Sequence, residues 1–108
     1  MTIYFDHNAT TPLHPEVFEA MRPWLTERHA NASSLHRGGR EARAAVDHAR
    51  AQVAALAGAQ PDQVVFTGGG TEADNLAVQG IAGLRGDAAL VISPIEHPAV
   101  TEAAEARA

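Results

Sequence analysis

Neither cysteine nor lysine occurs anywhere in the 108 residues. Without cysteine the chain can build no disulfide, no thiolate nucleophile and no sulfur-ligated metal site. Without lysine it has no side-chain amine to bond covalently to a carbonyl, and arginine cannot replace it because the guanidinium stays protonated. Basic charge is also scarce: eight arginines face thirteen acidic residues, a formal net charge of −5. Phosphate backbones are met by clustered positive charge, so the balance argues against a nucleic-acid surface and mainly favours solubility. No apolar run approaches the roughly 18 residues of a membrane span. The opening MTIYFDHN lacks a basic region followed by an apolar one. The expectation is a soluble, cytoplasmic protein with no membrane partner.

What is present alternates in type. Ile3 to Phe5 is short and β-prone, and the polar run Asp6 to Pro12 reads as an extended loop. Pro15 opens a helical pattern with Val17, Met21, Trp24 and Leu25 on one side, and Pro23 is expected to kink or end it. Phe18 and Trp24 are core candidates. Asn31 to Ser34 is a loop. From about Leu35 to Leu56, Ala42, Ala45, Val46, Ala49, Val53 and Leu56 recur at steps of three and four, predicting an amphipathic helix with Gly58 as its stop. Gln63 to Thr67 and Leu90 to Ile92 read as strands, the second buried on both faces. Thr71 to Leu84 and Pro98 to Ala108 read as helices, with Gly86-Asp87 breaking the first. Helix, strand, helix, strand, helix is the order of an α/β fold with a mostly parallel sheet. Two strands cannot make such a sheet with both faces covered, and the last helix carries no stop signal, so a piece of a larger fold is predicted.

The stretch TGGGTEADN (Thr67 to Asn75) sets three glycines between a strand and a helix. Glycine lets the backbone approach a ligand closely, and the first N–H groups of a helix lack internal partners at the positive end of its dipole. A phosphate fits there, with the Thr71 hydroxyl as a further donor. A flexible turn with Thr71 as helix cap fits as well. So does Gly68-x-Gly70-x-x-Ala73 as a dinucleotide pattern, with Glu96 near the spacing of a ribose-binding acid; that fingerprint, however, usually opens its domain.

Four stretches together are more specific: YFDHNATTPLHPEV (Tyr4 to Val17), NASSLHRGGREAR (Asn31 to Arg43), VVFTGGGTEADNLAV (Val64 to Val78) and SPIEHPAV (Ser93 to Val100). In order and spacing they resemble the cysteine desulfurases of the class V aminotransferase group, closest to the nitrogen-fixation and iron–sulfur-cluster type. The resemblance implies the large domain of a fold-type I enzyme dependent on pyridoxal 5'-phosphate (PLP). Residues 1–14 would be an N-terminal extended segment near the active site and 15–108 the first part of the PLP-binding domain, together a quarter to a third of the enzyme. Carried over by motif, Gly70 and Thr71 match the pair that binds the cofactor phosphate. His97 matches the histidine that stacks on the pyridine ring and assists proton movement, tasks a planar ring with a pKa near about 6.5 can perform. Asn8, Ala9 and Thr10 match the core of the segment beside the substrate.

The same resemblance implies L-cysteine as substrate, an iron–sulfur scaffold or other sulfur acceptor as partner, and a homodimer. It places downstream the Schiff-base lysine, the persulfide-bearing cysteine, the acid facing the pyridine nitrogen and the arginine for the substrate carboxylate. Selenocysteine lyases and other class V aminotransferases share these N-terminal motifs, and a noncatalytic binding module is the alternative from another class. Two departures stand out. Gly68 replaces a more usual serine and Ala32 a more usual proline, which predicts looser loops at both places. The six histidines show no close pair suited to a metal. His36 reads as a structural or interface residue. The Arg37, Arg40, Arg43 and Arg50 stripe, broken by Glu41 and Asp47, reads as a solvated helix face with local ion pairs.

Overall fold

The computed structural model describes residues 3–85 and 89–106. The chain forms two compact units, Met1–Val64 and Val65–Ala108.

In the first unit, Pro15 starts α1 (Pro15–Thr26), where its missing N–H leaves no helical bond unmade. Pro23 lies inside α1 and does not end it; the helix runs one more turn and closes with Glu27 and Arg28 N–H both donating to the Pro23 carbonyl, at 2.9 and 2.7 Å. A proline costs one intrahelical bond, and a site three residues before the end loses little by it. The expected core placement of Phe18 is not met: it is 46% exposed, and no residue of α1 is buried. Trp24 is half-buried, with the Arg28 guanidinium 5.5 Å from its ring centre.

α2 (Arg37–Ala57) follows the predicted periodicity and ends as predicted, with Gly58 left-handed at φ 66° and ψ 27°. The Ala59 N–H returns to the Ala54 carbonyl at 2.9 Å, satisfying a terminal acceptor. At its start the Nδ1 of His36 accepts from the Gly39 N–H at 3.2 Å, so this histidine is a helix cap. Arg37, Arg40 and Arg43 lie on an exposed face with ion pairs as expected, Arg37 to Glu41 at 2.7 Å and Arg43 to Asp47 at 4.0 Å, whereas Arg50 is half-buried. The hydrogen bond between Arg37 and Glu41, and then their charges, raise the Arg37 pKa above its ordinary value and lower that of Glu41. The loop before α2 is not loose despite Ala32. The Asn31 side chain accepts from the Ser33 N–H at 2.8 Å and its carbonyl from the Ser34 N–H at 3.0 Å, a local turn that needs no proline. A 3₁₀ turn, Pro61–Gln63, carries the chain to Val64, whose carbonyl accepts from Arg50 of α2.

The second unit packs α3 (Gly70–Arg85) on α4 (Pro98–Glu105). The Gln79 side chain donates to the Ala103 carbonyl at 2.8 Å, and Ala99 and Ala103 are buried. Small side chains at these positions allow the helices to approach closely. The two predicted strands differ from the observed structure: among the described residues neither Gln63 to Thr67 nor Leu90 to Ile92 is a strand, and the β-prone Ile3 to Phe5 is not one either. A strand exists only through the hydrogen-bond ladder of a neighbour, and these runs do not pair with one another. Gly86-Asp87 and the tail of the predicted last helix, Arg107-Ala108, lie outside the described residues. Among those described, no helix is long and apolar enough to cross a membrane.

Candidate functional site

The glycine run leads directly into α3, and Gly70 and Thr71 are its first two residues. The helix thus begins inside the motif. Thr71 is not its cap: it lies within the first turn, and its hydroxyl makes no hydrogen bond among the described residues. The N–H groups of Gly70, Thr71 and Glu72 precede the first donor with a helical acceptor, the Ala73 N–H, which reaches the Gly69 carbonyl at 3.1 Å. No acceptor among the described residues meets those three. None of the three glycines has a positive φ. A Cβ added to Gly69 or Gly70 would meet nothing within 4 Å, so these glycines border open space.

Two side chains shape the loop. Glu72 Oε2 accepts from the Gly68 N–H at 2.6 Å, and the Thr67 hydroxyl donates to the Gly69 carbonyl at 3.1 Å. Asn75 Nδ2 donates to the Thr71 carbonyl at 2.8 Å. Glu72 was not evident as part of the site from sequence, although an acid at the third helical position is the residue that reaches back in a capping box.

His97 lies in the same unit, at the N-cap of α4, where its Nδ1 accepts from the Ala99 N–H at 3.1 Å. With Nδ1 as acceptor, the neutral imidazole carries its proton on Nε2. The side chain is exposed, so that second nitrogen is open to a ligand. Its capping role was not foreseen; His-Pro opening a helix was the available signal.

Asn8, Ala9 and Thr10 belong to the first unit. They are exposed; His7 to Ala9 form a turn within the loop, with the Asp6 carbonyl accepting from the Ala9 and Thr10 N–H groups at 3.1 and 3.4 Å, and Thr10 onward to His14 is irregular. The Tyr4 hydroxyl donates to the same carbonyl at 2.9 Å, and the Tyr4 and His7 rings meet edge-on at 5.1 Å.

Open backbone donors at a glycine-fed helix start are a general anion-binding feature of proteins. The chain belongs to the aminotransferase class-V family, whose model matches residues 3–108. It is 51% identical over 106 residues to a cysteine desulfurase of Frankia sp. (strain EuIK1), spanning 96% of this chain and 25% of that protein. It is 48% identical over 104 residues to an IscS-like cysteine desulfurase of Mycobacterium tuberculosis, spanning 92% and 26%. Among solved structures, a NifS-like protein superposes with a TM-score of 0.87 at 35% identity, covering 98% of this chain and 30% of that one. The chain therefore spans about a quarter of the length of these curated relatives. The fold is that of part of a fold-type I enzyme, with no strand among the described residues. The family match favours the class V reading of the glycine run over the dinucleotide alternative that paired it with Glu96.

Proposed function

We propose that this chain is the N-terminal part of a PLP-dependent cysteine desulfurase, which removes sulfur from L-cysteine to leave L-alanine and passes it on as an enzyme persulfide. The observation that carries this reading is the 51% identity over nearly the whole chain to a protein of that name. The residues present fit the cofactor: the open N–H groups of Gly70 and Thr71 and the Thr71 hydroxyl are donors for its phosphate, and the bare glycines leave room for it.

PLP, when bound, supplies an electron sink for breaking bonds at the substrate carbon. In this chain Gly70 and Thr71 would hold the phosphate end. His97 would serve the ring side of the site, where its Nε2 could hold or transfer a proton. Its Nδ1 stays engaged with α4, which sets the ring's orientation. By family resemblance alone, Asn8, Ala9 and Thr10 in the segment 1–14 are proposed as substrate-proximal residues. The lysine that anchors the cofactor and the cysteine that receives the sulfur come from the remainder of the protein. We further propose a cytoplasmic homodimer that delivers sulfur to an iron–sulfur scaffold or another acceptor protein.

The test is to supply the full-length protein with PLP, L-cysteine and a thiol reductant and to measure sulfide and alanine together. Equal yields of the two support the reading. Amino-group transfer without sulfide would point to an ordinary class V aminotransferase, and turnover confined to L-selenocysteine to a lyase. Absence of PLP binding would indicate a noncatalytic module.

A further inference from the structure

Glycine loops are flexible, and three consecutive glycines would have to be ordered each time a phosphate binds. This loop is already closed. The hydrogen bond from the Gly68 N–H to Glu72 Oε2 forms a ring that contains Gly69, Gly70 and Thr71, the residues assigned to the phosphate. Inside the ring the Gly69 carbonyl accepts from both the Thr67 hydroxyl and the Ala73 N–H. The carboxylate is spent on Gly68, outside the set of N–H groups left open at the helix start. Gly68 itself is fitted to this contact, since a Cβ there would lie 3.1 Å from Glu72 Oε2.

We propose that Glu72 is a positioning residue that fixes the Gly68 to Thr71 loop in its phosphate-accepting conformation by accepting from the Gly68 N–H. This rests on the PLP-dependent reading above. It acts through the backbone, and a fixed loop binds more tightly because less freedom is lost on binding.

The experiment measures the dissociation constants of PLP and of pyridoxal, which lacks the phosphate, on the full-length apoprotein by absorbance titration. Wild type is compared with E72A, E72D and E72Q. Asp keeps the charge but is a methylene too short to reach Gly68, whereas Gln keeps the reach and an acceptor oxygen without the charge. The quantity read is the gain in affinity that the phosphate confers. It should fall about tenfold in E72A and E72D, the scale of one lost hydrogen bond to a charged acceptor, and recover to within about threefold of wild type in E72Q. Pyridoxal affinity should stay within about threefold throughout. If E72A does not fold, E72D decides the matter alone. An unchanged phosphate gain in the Ala and Asp variants, an equal loss for both ligands, or tighter PLP binding once the carboxylate is gone would each overturn the proposal. If the wild type itself gains nothing from the phosphate, the PLP-dependent reading fails and this inference with it.

Discussion

Gly39, in the first turn of α2, rests directly on the backbone of Ser34. A Cβ on Gly39 would lie 2.7 Å from the Ser34 Cβ and 2.8 Å from its carbonyl carbon, closer than real side-chain carbons approach. The neighbouring Gly38 is different, because a Cβ there would stand 3.4 Å from the Ala30 Cβ, ordinary contact. The two glycines of the HRGGREAR stretch therefore do unlike work. G39A should destabilise the full-length protein by about 1–3 kcal/mol through overpacking against backbone that cannot swing away. G38A should leave stability unchanged or raise it by about 0.5–1 kcal/mol, since alanine is the better helix former. Thermal unfolding followed by circular dichroism separates them. Equal midpoints would mean that the Ser34 contact is not present in solution.

The Arg37 and Glu41 pair makes a prediction about pH. The hydrogen bond from Arg37 holds the Glu41 carboxyl below its ordinary value in the folded state. A lowered folded pKa stabilises the fold fully above the unfolded value of about 4.3, and the contribution disappears as pH falls through the lower, folded value. Both side chains are at least half exposed, so solvent and salt screen the pair and its effect on stability is small. Carbon-detected NMR titration of the Glu41 carboxyl should show a midpoint below that of an unpaired glutamate, returning upward in R37Q. A midpoint unmoved by R37Q would mean that the pair does not persist in water.

His97 is assigned two tasks on two nitrogens, and substitution can separate them. Asparagine is among the best N-caps and can replace Nδ1 as acceptor for the Ala99 N–H, but it offers no imidazole Nε2. H97N should therefore keep stability within about 0.5 kcal/mol while turnover of L-cysteine falls by about 10²-fold or more, the usual scale of lost acid–base catalysis. H97A should lose turnover similarly and also about 1 kcal/mol of stability with the cap. Urea unfolding beside steady-state kinetics gives both readings. Retained turnover in H97N would remove His97 from the chemistry and leave it a cap.

The helices were legible because each carries its own instructions. The three- and four-residue steps of Ala42, Ala45, Val46, Ala49 and Val53, with Gly58 after them, specify α2 and its end without reference to anything distant. Strands carry no such self-sufficient code. Val64 to Phe66 and Leu90 to Ile92 have strand composition, but a ladder needs a neighbour, and none of the described segments supplies one. The same dependence explains Phe18 and Trp24. Their spacing marks the inward face of α1, yet burial requires a covering layer, and Phe18 remains half exposed. At the site, Gly70, Thr71 and His97 were found as motif residues, whereas Glu72 was not. Its role depends on the carboxylate turning back toward Gly68 and not out to water, a choice of side-chain direction that residue type does not encode.

The apolar runs that form no strand among the described residues also bear on how such a chain survives its own synthesis. Val65 is 65% exposed and Val91 89%, and exposed β-branched residues without a ladder are templates on which a second nascent chain can nucleate cross-β pairing. The sequence keeps both templates short. Pro61 and Asp62 stand before the first and three glycines after it, and Asp87 and Pro94 bracket the second, so both are bounded by residues that oppose an extended cross-β run. A break in strand propensity at Gly68 to Gly70 limits how far such pairing could extend from the first run.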